Sequence, residues 1–500
     1  MDRILAGAGI RFRLGNGRTS DAFEKAEKNR KEGLTSMKKG KSAQRKRQLT
    51  RAVCILGAAC AAALLLLQLF KGQDRHRIFR GSRGKVIHQE KERKDTLAIG
   101  VSSISESIHP YKQEDEAMEI LQRLVYEPLL IADRNGKVLY GNAKSILFED
   151  AGARARVTVN TEKTFSDGTP VTAELVLESY QWFLEEDTAY SRRLGVLEKV
   201  EPAGEDTLLF SFRERSIRNI QVFSVPLIYR TDQESEYGST ALGTGPYKIE
   251  ALTPYEKIVL SKSSSAGSYE QIEIRRMDYS RMEEILESQE LDLFWMDKEM
   301  HQAVTECGAY DIWETEKGNG YYLAYGLEKK SLRDGIAGLV AGKKFFEQTQ
   351  DKGIYSPGIV SAYKEKPCYA SLVEKGSLEG AEELSVLLEY DGESEGIYKG
   401  LSEVLGQKGV TVRPLQSLEE ISAVPGENGA DLVIYRGAYA DLLTAEEEAE
   451  FYEAYPELEA EQFYDKLERY LASENLFTPL SRDTVWVARL AGRDTLDLLE

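Results

Sequence analysis

Histidine and cysteine are scarce in this chain, with four of each in 500 residues. The histidines stand at 76, 88, 109 and 301 and the cysteines at 54, 60, 307 and 368, and no two are spaced as metal ligands usually are. No G-x-S-x-G elbow, H-E-x-x-H or C-x-x-C is present either, which leaves hydrolase, metalloprotease and dithiol chemistry without their reacting groups. The chain therefore reads as a non-enzyme with no catalytic residue, no metal site and no cofactor. Carboxylates are so abundant that chance pairs of them carry no information. Cys307 and Cys368 could form a disulfide only if the fold brings them together; two ordinary thiols are the alternative. Internal repeats and low-complexity tracts are also lacking.

Long apolar runs are missing with one exception, Ala52 to Phe70, "AVCILGAACAAALLLLQLF", nineteen residues without a charge. At 1.5 Å per residue a helix of that length just crosses a bilayer core. Its C-terminal edge, "LLLLQLFKGQ", has no small-x-small cleavage pattern. Leu56 sits one place too far upstream of Cys60 for lipid attachment, so an uncleaved anchor is expected.

The run also divides the charge. Residues 1–51 hold fifteen Lys/Arg against five Asp/Glu, and 71–94 hold nine against three. The net charge is -18, so residues 95–500 carry about -34. Such a body is soluble and a poor partner for nucleic acid or anionic lipid. The expected organisation is a basic cytoplasmic tail (1–51) with a short helix over "DAFEKAEKNRKEG", an anchor (52–70), a basic stalk (71–94) and a folded body (95–500). Basic residues on both sides of the run nearly cancel as an orientation signal.

Within the body the apolar pattern alternates between strand and helix periods. "TLAIGV", "RARVTVN", "TLLFSF" and "KIVLSK" read as strands, and "EDEAMEILQRLVYEPLL" as a helix ending near Pro128. "LSVLLEY", "SEGIYKGLSEVLGQKG" and "VTVRPL" form a βαβ-like unit, followed by a short strand in "ADLVIYRG". "AEQFYDKLERYLASE" is an amphipathic helix before a strand-like "TVWVARLA". This alternation predicts an α/β protein with mixed sheets. The stretch "TFSDGTPVTAELV" reads as a strand end, a turn on Asp167-Gly168 and a helix capped by Thr172.

Taken in order, several of these segments resemble the family 5 extracellular solute-binding proteins of ABC importers, a family of oligopeptide-, dipeptide- and nickel-binding proteins. "LVYEPLLIADRNGKV" is similar to the family's Tyr-Glu-x-Leu segment and Asp-x-x-Gly-Lys hairpin. "TFSDGTPVTAELVLESYQWF" resembles its Phe-x-Asp-Gly-Thr-Pro-Val-Thr-Ala block, and "LGTGPYKIEAL" its Gly-Thr-Gly-Pro-Tyr loop. The likeness covers roughly 95–500 and becomes diffuse after Tyr247. It implies a two-lobed periplasmic-binding-protein-like type II fold, with lobe I at about 95–275 and 446–500 and lobe II at about 276–445, closing over a ligand. The implied protein is a monomer held in the cytoplasmic membrane by a single pass, its large domain on the outer face, delivering a peptide or peptide-like ligand to an ABC permease and ATPase. The alternative is a degenerate receptor acting as a membrane-bound sensor or assembly partner.

Ligand contacts are expected from the loop "VSSISESIHPY", through Ser102, Ser103 and Ser105, and from "YRGAYAD", through Tyr435, Arg436, Tyr439 and Asp441. In α/β folds such loops at strand ends line the crevice. The serines could instead serve the next helix. By resemblance Asp441 takes the place of the Asp that holds a peptide's amino terminus; a solvated turn residue is its other reading. By comparison with peptide-binding members the body is short after residue 327, and there "LRDGIAGLVAGKKFF" keeps the helical pattern of the family's "VRQALAYAIDR" segment but loses its acidic-basic end; this implies a smaller ligand, an altered one or lost binding.

Overall fold

A computed structural model describes residues 95–493 except 113–114, 133–137, 231–240, 351–353, 357, 360–368, 389–391 and 416–428. The apolar run 52–70, the basic tail and its short helix, the stalk, His76, His88, Cys54, Cys60 and Cys368 lie outside the described residues. Among the described residues no helix is long and apolar enough to cross a membrane. The body, Lys85–Glu500, forms one compact unit.

Its centre is an eleven-stranded mixed sheet. The strand order is 247–253, 257–262, 271–276, 96–101, 293–296, 477–490, 310–325, 432–437, 383–388 and 411–415, with Ile354–Tyr355 paired to 477–490 off this path. Thr96–Val101 is buried almost throughout, as a strand covered on both faces must be, and runs parallel to Gln271–Arg276 and Leu293–Met296. At the other end Glu383–Leu388 runs parallel to Thr411–Leu415 and to Leu432–Gly437. Helix Gly392–Gly406 makes the crossover and buries Ile397, Leu401 and Leu405 at four-residue spacing. The βαβ reading of this segment is therefore what the chain forms.

Two long strands, Tyr310–Tyr325 and Phe477–Leu490, join the halves. Residues 310–316 pair with 484–490 beside strand 293–296, whereas 320–324 pair with 477–482 beside strand 432–437. Between them the register slips, so that Lys317, Gly318 and Asn319 lie opposite the single residue Asp483. Gly318 has φ +83°, and a side chain at Gly320 would collide with the carbonyl of Ser481.

A second sheet of five antiparallel strands is ordered 458–459, 143–149, 154–159, 207–212 and 197–202. Helix Ala173–Glu185 starts as expected, with the Thr172 hydroxyl accepting from the Leu175 amide at 3.2 Å and Gly168 at φ +91° in the preceding turn. Phe148 stands at the centre of this sheet's core, with ring centroids 5.5 to 6.2 Å from those of Phe212, Phe223, Tyr452 and Phe463. Tyr452 and Phe463 belong to helices Ala445–Ala454 and Ala460–Glu474, which fixes both helices against this sheet. The "GTGPY" loop is a packing device. Side chains at Gly243 and Gly245 would collide with the carbonyls of Val125 and Leu124, and Tyr247 is buried with its hydroxyl accepting from the Tyr269 amide at 2.9 Å.

Candidate ligand-binding site

The pairing directions place the ends of the parallel strands opposite one another. Strand 310–325 runs from the first half of the sheet into the second, and 96–101, 271–276 and 293–296 run the same way, so their carboxyl ends point toward the second half. Strand 432–437 is antiparallel to 310–325, so its carboxyl end, with that of 383–388, points back toward the first. Met296 stands level with Glu314 across Trp486, and Gly437 is paired with Gly320. The two sets of ends thus converge on the bulge at 317–319. Carboxyl-end crevices of this kind are where open α/β sheets hold ligands.

On the first bank the chain leaves strand 96–101 through Ser102, Ser103 and Ser105. Ser102 donates its amide and its hydroxyl to Glu116 Oε2, at 2.7 and 2.9 Å. Ser105 donates to Asp115 Oδ2 at 3.3 Å, while Asp115 Oδ1 caps helix Glu116–Leu124 by accepting from the Met118 amide at 2.9 Å. Ser102 and Ser105 therefore serve the start of that helix, and Ser103 stands exposed. His109 in the same loop stacks obliquely on Tyr111, and partial burial with nearby Lys112 holds its imidazole below the usual value.

On the second bank Tyr435 donates its hydroxyl to Asp441 Oδ2 at 3.1 Å, and the Ala438 amide reaches the same oxygen at 3.4 Å. Arg436 pairs with Asp483 at 2.7 Å and lies over the Tyr321 ring. Tyr439 is half-buried in the turn Tyr439–Leu442, and burial pushes its hydroxyl up to about 12 against the pull of Arg482 and Arg218. Tyr435 and Asp441 are thus brought together with Tyr439 in the same turn, while Arg436, the next residue along the strand, turns to Asp483.

Sequence reasoning missed two groups here. The first is Arg218, which reaches in from the second sheet's side. Its guanidinium donates to the Ala440 carbonyl at 2.6 Å, to Asp441 Oδ1 at 2.9 Å and to Glu448 Oε1 at 3.1 Å. Arg218, Asp441 and Glu448 line a cavity of about 540 Å³ together with Arg192, Glu214 and Arg215. No local signal in "RSIRNIQVF" points to a carboxylate more than two hundred residues away. The second is Arg482, a fully buried arginine that donates to Tyr322 Oη and to the Ile359 and Gly318 carbonyls. The Ile359 amide in turn donates to both oxygens of buried Glu468, at 2.8 and 2.9 Å. Ile359 is thereby fixed beside the bulge.

Among the described residues no group of three or more His, Cys, Asp or Glu is placed to hold a metal ion. Cys307 is an exposed free thiol, and the His301 ring lies edge-on to Trp486.

The family model of the bacterial extracellular solute-binding proteins, family 5 middle, matches residues 140–340. Over that stretch the chain is similar to the family 5 solute-binding proteins. A Brucella melitensis binding protein is 26% identical over 192 residues, a stretch covering 34% of this chain and 31% of that one. The periplasmic murein tripeptide binding protein MppA, in an unliganded open form, superposes with a TM-score of 0.59 at 13% identity, covering 81% of this chain and 95% of that one. A nickel ABC transporter protein from Bacillus halodurans superposes with a TM-score of 0.55 at 16% identity, covering 81% and 98%. These likenesses agree with the α/β fold of mixed sheets expected of a family 5 body.

Proposed function

We propose that the family 5 body captures a peptide or peptide-like ligand between the two opposed sets of strand ends, closing as two lobes about the bulge at 317–319. The captured ligand passes to an ABC permease and its ATPase, the body being tethered outside the cytoplasmic membrane by residues 52–70. The observation that carries this reading is the convergence of the carboxyl ends of 96–101 and 432–437 on that bulge. The tripeptide binding named for MppA accords with it. Ser103 on one bank and Tyr435, Arg436, Tyr439 and Asp441 on the other supply hydrogen-bonding groups, with Ser102 and Ser105 behind the first bank.

Two measurements test this. A ligand at a hundred times its Kd stabilises the protein by about 2.7 kcal/mol, so a thermal-shift screen of the full chain against di-, tri- and oligopeptides raises Tm for the right class. Cysteines introduced as Ser103→Cys and Tyr439→Cys crosslink through a short bridge faster with ligand than without. A flat screen with no ligand-dependent crosslink overturns the reading.

A second reading has one observation in its favour. Asp441, the carboxylate matched to the amine contact, already faces a guanidinium. A body whose ligand contact is filled from within would act as a sensor or assembly partner without transport.

A further inference from the structure

The carboxylate of Asp441 has a full set of partners from within the chain. Oδ2 accepts from Tyr435 Oη and from the Ala438 amide, and Oδ1 accepts from Arg218 Nη2. The two ends of the Arg218 fork are not equivalent. Nη1 is anchored on Glu448, whose side chain is only 7% exposed and sits on a helix packed against the second sheet. Nη2 holds Asp441 and the Ala440 carbonyl, at a place where both Arg218 and Asp441 are more than a third exposed. The buried pair is the costly one to break, and the exposed pair is worth little to stability. The 540 Å³ cavity opens beside this exposed end.

We propose that Arg218 is an internal stand-in for a ligand's ammonium group. The guanidinium occupies Asp441 while no ligand is bound, and a free amine binds by displacing Nη2 while Nη1 stays on Glu448. Binding is then an exchange of one cation for another at a single carboxylate. Arg218 is the residue that sets how strongly an amine must compete, and hence which ligands the crevice retains. This rests on the capture reading above for the place of the ligand, but not for its identity.

The exchange gives a specific expectation. Removing the internal cation strengthens binding of a free amine and leaves a blocked amine unaffected. A purely structural arginine would weaken both or neither.

The experiment uses calorimetric titration of the full chain in detergent with L-alanyl-L-alanyl-L-alanine and its N-acetylated form. Arg218→Met is expected to bind the free tripeptide at least tenfold more tightly than wild type, with the acetylated peptide unchanged. Arg218→Lys is expected to fall between. The double variant Arg218→Met/Glu448→Gln removes the carboxylate left without its partner and serves if the single variant unfolds early. Binding by Arg218→Met but not by wild type supports the exchange and overturns the capture reading for the native chain. Equal affinity of wild type and Arg218→Met overturns the exchange and leaves capture standing. Binding by neither protein nor the double variant overturns both.

Discussion

The two banks of the crevice are built in opposite ways. On the first, the Ser102 amide and the hydroxyls of Ser102 and Ser105 bond to residues at most fourteen positions away, at the start of the next helix; one distant contact is added, the Tyr255 amide donating to the Ser105 carbonyl at 3.4 Å. On the second, Arg218 meets Asp441 across 223 positions and Arg436 meets Asp483 across 47. The hydroxyls of the first bank are held mainly by a local structure, with Tyr255 bracing the loop through Ser105 and Glu106. The second exists only when distant parts of the chain have already come together. Its charges therefore depend on the whole fold, and a change there is felt both at the site and in stability.

Four substitutions sharpen that contrast, from the largest effect to the smallest. Arg482→Ala removes a fully buried guanidinium that holds Tyr322 and the backbone of 359 and 318. Breaking such a network costs about 3–5 kcal/mol, read as a lower urea midpoint with loss of amide protection at Ile354, Tyr355 and Ile359. Gly243→Ala forces a methyl against the Val125 carbonyl at the end of the helix that carries Glu116. Overpacking of this sort costs about 1–3 kcal/mol and appears as a lower Tm. On the local bank Ser102→Ala loses one hydroxyl bond and keeps the amide bond, so about 0.5–1.5 kcal/mol is expected at most. A loss as large as that of Arg482→Ala would erase the distinction between the banks.

The smallest effect is one of pH. Burial, helped by Glu214 and Glu447 and opposed by Ser216 and Arg218, holds the Glu448 carboxyl above its ordinary value. The folded protein thus keeps this proton more tightly than the unfolded chain does. Stability from this group is greatest at low pH and falls as pH rises through the window between the ordinary value and the raised one. Thermal melts of wild type and Glu448→Gln between pH 4 and 7 check this, the variant lacking that component of the decline.

Much of the fold was legible because its signals are short-range. Thr172 caps the helix it precedes, Gly168 turns the hairpin, and strands 96–101 and 383–388 are plain apolar runs. The long strand 310–325 was not read, because "EKGNG" interrupts its alternation where the register slips. "TVWVARLA" was seen as a strand, but its start at Phe477 was not, since that portion crosses to the other half of the sheet and is buried on both sides. Resemblance pointed to Tyr435, Tyr439 and Asp441, and the fold sets the first beside the last, with Tyr439 in the same turn. Arg218 was not legible, because only the packing of helix 445–454 on the second sheet brings its partners within reach.

The crossing strands also govern how this protein can be taken apart. Strands 310–325 and 477–490 each donate backbone to both halves of the large sheet, so no single cut leaves either half with its hydrogen-bond ladder complete. A break at Gly318 would give two fragments, each with a raw edge of unpaired amides and carbonyls open to aggregation. The halves are consequently not modules that recombination could swap between relatives. They must be inherited, expressed and repaired as one piece, and fragment complementation at this position would succeed only when both pieces are made together.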